Sequence, residues 1–125
     1  MGFIKQPLDE FLGFQYSRVS PMSVKICLPL NPLHFNSVGV VHGGVISTLV
    51  DVAMSNLVDA NNGVQTAVTI DLHTTFLKGA KGEALTAKAN IVKQGRTLMY
   101  ADCQVFNDEN EIVARSTGTF FMRQQ

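Results

Sequence analysis

Hydrophobic residues occur in two patterns along this chain, and each pattern predicts a different kind of element. Over residues 45–58 almost every side chain is apolar, which is typical of a helix buried on nearly all sides. A turn-rich loop over residues 31–39 precedes it, and the Asn-Asn-Gly segment at residues 61–63 is typical of a helix C-cap. The pattern therefore predicts one long central helix that begins at Gly43 and runs to about Val58.

Apolar and polar residues alternate in the segments that follow, as in strands with one buried face. Four such strands are predicted, over residues 68–76, 85–91, 99–105 and 112–122. A fifth covers residues 22–30, and we expect it near a sheet edge because Pro29 cannot donate a hydrogen bond to a neighbouring strand. Short connections among the last four favour antiparallel pairing between strands that are consecutive in sequence.

A short helix near the N-terminus completes the predicted elements. Pro7 opens it, and it covers residues 7–14. Its apolar face consists of Leu8, Phe11 and Leu12. One long hydrophobic helix and about five strands can share a core only if the sheet curls around the helix. We therefore expect an α+β fold, a curled antiparallel sheet wrapped around the central helix, in a single domain over residues 1–125.

Composition and charge narrow the classes of partner. The 125 residues have a formal net charge of zero and no basic block, so nucleic acid is not an expected partner. No apolar run reaches the length needed to span a membrane, and the N-terminus lacks a signal-peptide layout. Cys27 and Cys103 lie in alternating apolar runs without metal-ligand spacing, so they are interpreted as reduced core thiols. These features together favour a cytoplasmic protein without a membrane partner.

Candidate chemistry is concentrated at the central helix. Gly43 and Gly44 lie at its start, where the first N–H groups lack intrahelical partners and can bind an anion or a developing oxyanion. Asp51 is the one ionisable residue in the apolar run, and it forms a narrow polar stripe with Ser47 and Ser55. Burying a lone carboxylate is costly, which makes Asp51 the strongest functional candidate.

The remaining candidates for metal binding are weak. Asp71 and His73 share a strand face, but no third ligand accompanies them, so no metal site is expected. His34 and His73 are both interpreted as structural or solvated residues.

The segment that contains Asn36, His42, Gly43, Gly44 and Asp51 resembles the hotdog-fold thioesterases, specifically the phenylacetate-degradation type within the hydroxybenzoyl-CoA thioesterase superfamily. The asparagine lies seven residues before Gly43 and the acid eight residues after it. The similarity extends from about residue 13 to residue 121. It implies hydrolysis of acyl-CoA thioesters without a metal or organic cofactor. It also implies a homo-oligomer, usually a dimer paired into a homotetramer.

The resemblance assigns roles by position. Asp51 matches a carboxylate that acts as general base on water or as nucleophile. The Gly43 N–H, with His42 beside it, matches the donor that polarises the thioester carbonyl. Asn36 matches an amide that positions the carbonyl or the lytic water, and Ser55 matches a hydroxyl that orients this water.

Five further residues are candidates for substrate binding. Gly44 follows the proposed carbonyl donor, and Thr69 lies where some members of the family have another hydroxyl. The other three are the basic residues Lys78, Lys81 and Arg96, which lie in glycine-containing turns. They are placed to meet the phosphates of CoA, although positive charge in a turn also serves solubility alone.

Simpler interpretations of the same residues stay open. Asp51 could be a buried acid satisfied by its neighbours, His42 a packing residue, and Asn36 the cap of a turn. The alternative function is a non-catalytic acyl-CoA-binding or regulatory module, against which Asp51 is evidence. A hydroxyacyl-thioester dehydratase is disfavoured because the sequence lacks the corresponding histidine–acid pair.

The spacing within the helix predicts that one active site needs two chains. Gly44 and Asp51 are seven residues apart, so they lie roughly 10 Å apart along one helix. A base and an oxyanion donor must instead converge on one carbonyl carbon. An antiparallel helix from a second chain across a two-fold axis would bring them together.

Overall fold

The computed structural model describes residue 3, residues 5–58 and residues 65–124. Two α-helices and six strands occur in these residues. They are α1 (Pro7–Leu12), β1 (Gln15–Ser20), β2 (Ser23–Pro29), α2 (Gly43–Ser55), β3 (Gln65–Phe76), β4 (Ala84–Gln94), β5 (Leu98–Phe106) and β6 (Ile112–Gln124). A short 3₁₀ turn, Pro32–His34, lies between β2 and α2.

All six strands form one antiparallel sheet in the order β1-β2-β4-β5-β6-β3, and α2 packs on one of its faces. The helix buries five side chains there: Ile46, Leu49, Val50, Ala53 and Met54. Gly118 of β6 makes this approach possible, since a methyl group at that position would lie only 3.1 Å from the Met54 Cε atom. The expected α+β fold with a curled sheet around a central helix is confirmed.

The central helix is shorter than predicted. It ends at Ser55 instead of Val58, and Asn56 is its C-cap residue. Arg18 of β1 donates from Nη2 to the Asn56 carbonyl oxygen at 3.0 Å, so a side chain from the sheet satisfies this end of the helix. The C-cap predicted at residues 61–63 lies outside the described residues.

β1 was not predicted, so the expectation of five strands was wrong. The inward positions of this strand carry Tyr16, Arg18 and Ser20, which give no apolar alternation. Because β1 forms the outer strand, β2 lies one position inside the sheet edge. Pro29 is the last residue of β2, opposite Ala84, where the missing N–H has little effect on the ladder.

Consecutive pairing was a wrong expectation for β3. β4 pairs with β2 on one side and with β5 on the other, so the place beside β4 is not available to β3. β3 pairs with β6 instead and forms the second edge of the sheet. Residues 77–83 carry the chain from that edge to β4.

The first helix also differs from its prediction. α1 ends at Leu12, and Leu8 and Phe11 are exposed, whereas Asp9 is buried with Leu12. The carboxylate points inward because its Oδ2 atom accepts a hydrogen bond from the Gln6 N–H at 3.3 Å and closes a capping box.

Both cysteines are free thiols. Cys103 is buried, and burial raises the pKa of its thiol to about 12, whereas Cys27 is partly exposed. No helix in the described part of the chain is long and apolar enough to cross a membrane.

Candidate active site

The loop before α2 is organised by the side chain of Asn36. Its Oδ1 atom accepts hydrogen bonds from the N–H groups of Val38 and Val40 at 3.0 and 3.2 Å. These two donors identify the oxygen of the amide, so the Nδ2 group is on the other side. Nδ2 has no hydrogen-bond partner within residues 5–58 and 65–124. Asn36 therefore caps a turn with one end of its amide and keeps two donors available at the other.

His42 is the N-cap residue of α2. Its Nδ1 atom accepts a hydrogen bond from the Gly44 N–H at 2.8 Å, so the ring proton lies on Nε2, which belongs to an exposed side chain. A Cβ atom at position 44 would lie 3.0 Å from the same Nδ1 atom, so a larger residue there would have to displace the His42 ring from the cap. The Gly44 N–H is consequently occupied by His42 and is not a free donor for substrate.

Gly43 carries the one unpaired N–H of the first turn. The N–H groups of Val45 and Ile46 both donate to the His42 carbonyl oxygen, at 2.9 and 3.2 Å, and that of Gly44 donates to the His42 ring. No acceptor for the Gly43 N–H exists among the described residues. A helix N-terminus with one free N–H is suited to bind an oxygen that carries negative charge.

A pocket of about 390 Å³ lies at this helix start, lined among others by Asn36, Gly43, Phe76 and Lys78. The Phe76 ring would lie 3.4 Å from a Cβ atom at position 43, so it forms a wall beside the free N–H. The Phe76 side chain is 51% exposed, although it is a large apolar residue. Its position at the very end of β3 was the sequence signal that it borders an opening.

Asp51 is partly exposed, not buried as predicted. Its Oδ1 atom accepts a hydrogen bond from the Thr69 Oγ1 at 2.6 Å, and its Oδ2 atom has no partner in the described parts of the chain. Ser47 and Ser55 are also partly exposed, so the polar stripe of α2 forms an open face of the helix. The arrangement holds one carboxylate oxygen in place and leaves the other free for a proton or an electrophile.

A β-bulge directs Thr69 toward the helix. The register between β3 and β6 shifts between Thr69 and Asp71, so Ile70 is an extra residue without a partner. Thr69 therefore faces α2, as Leu72 does on the other side of the bulge. The Ser55 hydroxyl, which was expected to orient the lytic water, donates to the Val52 carbonyl oxygen at 3.1 Å, so it is left to contact a water as an acceptor.

Within one chain the candidates fall into two groups. The donor half-site consists of Asn36, His42 and Gly43, and the acid half-site consists of Asp51, Ser55 and Thr69. Gly44 and Asp51 belong to the same straight helix and are separated by roughly 10 Å along its axis. The pocket beside Gly43 includes none of the acid half-site.

The basic candidates are also separated. Lys78 lines the pocket beside Gly43, although its Nζ atom forms an exposed ion pair with Glu111 at 2.7 Å, and this hydrogen bond lowers the pKa of Glu111. Lys81 lies in the same connection between β3 and β4. Arg96 lies just beyond the C-terminal end of β4. The ten steps from the first to the last residue of this strand span about 33 Å. One chain therefore cannot bring all three to one group of phosphates.

His34 has the structural role that was predicted. It is fully buried, its Nδ1 accepts from the Asn31 N–H at 3.0 Å, and its Nε2 lies 2.8 Å from the Leu12 carbonyl oxygen. Its own carbonyl oxygen accepts the His42 N–H at 2.8 Å, which holds the N-cap in place. His73 is exposed, and no cluster of three potential ligands for a metal occurs among the described residues.

Comparison with known proteins gives the architecture a family context. The sequence profile of the thioesterase superfamily matches residues 38–114, more than half of the chain. Acyl-coenzyme A thioesterase 13 of Mus musculus is 35% identical over 75 residues, which cover 59% of this chain and 54% of that protein.

Solved structures share the fold over nearly the whole chain. A Bacillus halodurans protein crystallised with CoA has a TM-score of 0.85 and 31% identity, and the match covers 97% of this chain and 81% of that one. A thioesterase family protein from Silicibacter pomeroyi has a TM-score of 0.85 and 26% identity over 96% and 91% of the two chains. The curled sheet around one helix is therefore the hotdog architecture.

Proposed function

Since this chain belongs to the thioesterase superfamily, we propose that it hydrolyses acyl-CoA thioesters to the free acid and CoA, as an enzyme of the phenylacetate-degradation type. Its similarity to a protein named acyl-coenzyme A thioesterase 13 and to one crystallised with CoA supports this class of substrate. The observation that carries the proposal is the free Gly43 N–H, the one unpaired donor of the first turn of α2 among the described residues.

The donor half-site binds the thioester carbonyl. The carbonyl oxygen accepts the Gly43 N–H, and the positive end of the helix dipole stabilises the charge that this oxygen gains as the tetrahedral intermediate forms. The Nδ2 group of Asn36, whose Oδ1 is held by the loop, donates to the same oxygen or to the lytic water. His42 contributes by its cap, which occupies the neighbouring N–H and thereby fixes the start of the helix.

The acid half-site supplies Asp51. As general base, its free Oδ2 takes a proton from water while the water oxygen bonds to the carbonyl carbon, and the C–S bond then breaks to release CoA thiolate. As nucleophile, Oδ2 bonds to the carbonyl carbon, thiolate leaves, and water hydrolyses the resulting anhydride. Thr69 orients the carboxylate in both routes, and Ser55 lies one turn away to orient the water.

The two half-sites come from different chains of a homodimer in this proposal. β3 is a long edge strand with apolar side chains exposed, among them Ile70 at 58%, and such an edge is suited to pair with a second copy of itself. Antiparallel pairing about a two-fold axis would place Asp51 of one copy opposite Gly43 of the other, twice per dimer. Dimers would then pair into tetramers.

The test is release of free CoA from acyl-CoA, followed with a thiol reagent, for the wild-type protein and for Asp51→Asn. The proposal expects continuous release by the wild type and almost none by the variant. Tight binding of acyl-CoA without release by the wild type would contradict hydrolysis and would support the binding module instead.

A further inference from the structure

The open edge of β3 runs past both half-sites of its own chain. Near the start of the strand, Thr69 donates its hydrogen bond to Asp51 at 2.6 Å. At the end of the strand, the Phe76 ring lies against Gly43, 3.4 Å from where a Cβ atom would be. Among the described residues, β6 is the one strand that pairs with β3, so the other side of β3 is open. The proposed dimer joins two such edges, and the pairing register decides which residues face each other.

The backbone groups of β3 alternate between β6 and the open edge. The His73 carbonyl oxygen accepts a hydrogen bond from the Ser116 Oγ atom of β6 at 2.9 Å, so this carbonyl group points toward β6. In an antiparallel strand, the N–H and C=O of one residue point to the same side, and those of the next residue point to the other side. The N–H and C=O groups of Leu72 and Thr74 therefore point to the open edge, where a second strand can pair with them.

The side chains of the same stretch alternate between the two faces of the sheet. Leu72 and Thr74 are partly buried on the side of α2, whereas Asp71, His73 and Thr75 are exposed on the outer face. Residues that lie opposite each other in an antiparallel pair project from the same face. Two copies of β3 related by a two-fold axis meet this condition when one residue lies opposite its own copy on the axis.

The two half-sites select one of these registers. They converge on one carbonyl carbon if Thr69 of one copy lies opposite Phe76 of the other, because these residues contact the acid half-site and the donor half-site. With His73 on the axis, the position opposite Phe76 is Ile70 of the second copy. Ile70 is the extra residue of the bulge, so Thr69 shares this position and, unlike Ile70, faces the helix.

The neighbouring registers do not bring the half-sites together. An axis at Leu72 would place Thr69 of the second copy opposite Thr74, and an axis at Thr74 would place it opposite Lys78, past the end of the strand. Either register displaces the two half-sites by two residues, or about 7 Å along the strand. This displacement exceeds the reach of a hydrogen bond between a base and the attacking water.

We propose that two copies of this chain pair along β3 with His73 of each copy opposite His73 of the other, on the two-fold axis. The inference rests on the proposed shared active site and names the register that builds it. Leu72 of each copy exchanges two backbone hydrogen bonds with Thr74 of the other, on both sides of the axis. Phe76 of one copy and Thr69 of the other become cross-strand neighbours, so both border the same active site.

The experiment is disulfide cross-linking of His73→Cys. The His73 backbone points away from the second copy, so the two residues form a pair without hydrogen bonds between them, with Cα atoms about 4.5 Å apart. Disulfides join residues whose Cα atoms are about 4.4–6.8 Å apart. Mild oxidation should therefore give a species of twice the chain mass on a non-reducing gel, and reduction should remove it. Because His73 is exposed and outside both half-sites, the cross-linked protein should keep the thiol-releasing activity of the reduced protein.

Asp71→Cys and Thr75→Cys are matched controls on the same exposed face of β3. In the proposed register each residue lies about 13 Å from its own copy, so neither variant should cross-link alone. Asp71 lies opposite Thr75 of the second copy, so the two variants refolded together should form a mixed disulfide. This pair also tests the register if His73→Cys does not fold. The wild type, which keeps Cys27 and Cys103, gives the background.

The results separate this register from the proposed function. Cross-linking of Asp71→Cys alone or of Thr75→Cys alone would move the axis and overturn the inference, and so would the absence of every one of these cross-links. Either result with hydrolysis by the wild type would contradict the register and leave the thioesterase standing. The expected cross-links in a protein whose wild type releases no thiol would contradict the thioesterase and leave the register supported.

Discussion

Thr69 on β3 donates a hydrogen bond from Oγ1 to the Oδ1 atom of Asp51 on α2 at 2.6 Å. This contact joins the candidate catalytic carboxylate to the edge strand of the sheet, and the bulge at Ile70 makes it possible. It fixes one oxygen of the carboxylate and leaves the other free. The strand that is available to pair with a second chain is therefore also the strand that orients Asp51.

We predict that Thr69→Val lowers kcat by about tenfold, because the loss of one hydrogen bond to a charged group is worth about 1.5 kcal/mol. Ser55→Ala should have a smaller effect, since the Ser55 hydroxyl is bonded to its own helix at Val52. Steady-state kinetics of the two variants, with thermal unfolding as a control for folding, checks the difference. A larger loss of kcat in Ser55→Ala than in Thr69→Val would mean that the Ser55 hydroxyl contributes more to the reaction than the Thr69 hydroxyl does.

The helix and its flanking loop could be predicted from the sequence because their signals are local. Asn36, the glycines at the helix start and Asp51 all lie within 16 consecutive residues. The contact between Thr69 and Asp51 could not be predicted in this way. Strict alternation placed Thr69 on the face opposite Leu72, and one extra residue in the pairing with β6 reverses that assignment.

The edge strands were difficult for a related reason. On its inward side, β1 contacts the end of α2 through the polar side chain of Arg18. An apolar residue at this position would have been recognisable in the sequence as part of a buried strand face. The pairing of β3 with β6 depends on competition among all the strands for places in the sheet. Local periodicity carries no information about that competition.

Asp51→Asn should lower the rate of thioester hydrolysis by roughly 10²–10⁴-fold, the usual effect of removing a positioned general base. The fold should be retained because the volume is unchanged and Thr69 can still donate to the amide oxygen. Thiol release at saturating acyl-CoA measures the rate, and circular dichroism verifies the fold. A folded variant that keeps more than a third of the wild-type rate would exclude Asp51 as the catalytic group.

The three basic residues should differ in their effect on KM according to their positions in the fold. If Lys78 or Lys81 contacts a CoA phosphate, its replacement by alanine should raise KM for acyl-CoA and have less effect on an acyl-pantetheine thioester, which lacks the nucleotide. Arg96→Ala should show the same difference only if a second chain brings the far end of β4 to the same site. Equal losses on both thioesters would assign these residues to folding or assembly.

Gly43→Pro provides a selective variant of the donor half-site. Proline is well tolerated at the first position of a helix, and the extended backbone of His42, with ψ 133°, is compatible with a following proline. The substitution therefore removes the free N–H with little change to α2. Hydrolysis should fall by about 10²–10³-fold, as expected for loss of one oxyanion donor. An unchanged rate in the folded variant would mean that Gly43 does not bind the carbonyl.

Complementation between two inactive chains tests the shared active site most directly. One chain carries Asp51→Asn, and the other carries Asn36→Ala with Gly43→Pro. After the two are refolded together, each mixed dimer should contain one intact site, so random exchange should restore about one quarter of the wild-type thiol release. If both parents are folded, subunit exchange is demonstrated and no activity returns, then Asp51 and Gly43 do not act across two chains and the account is wrong.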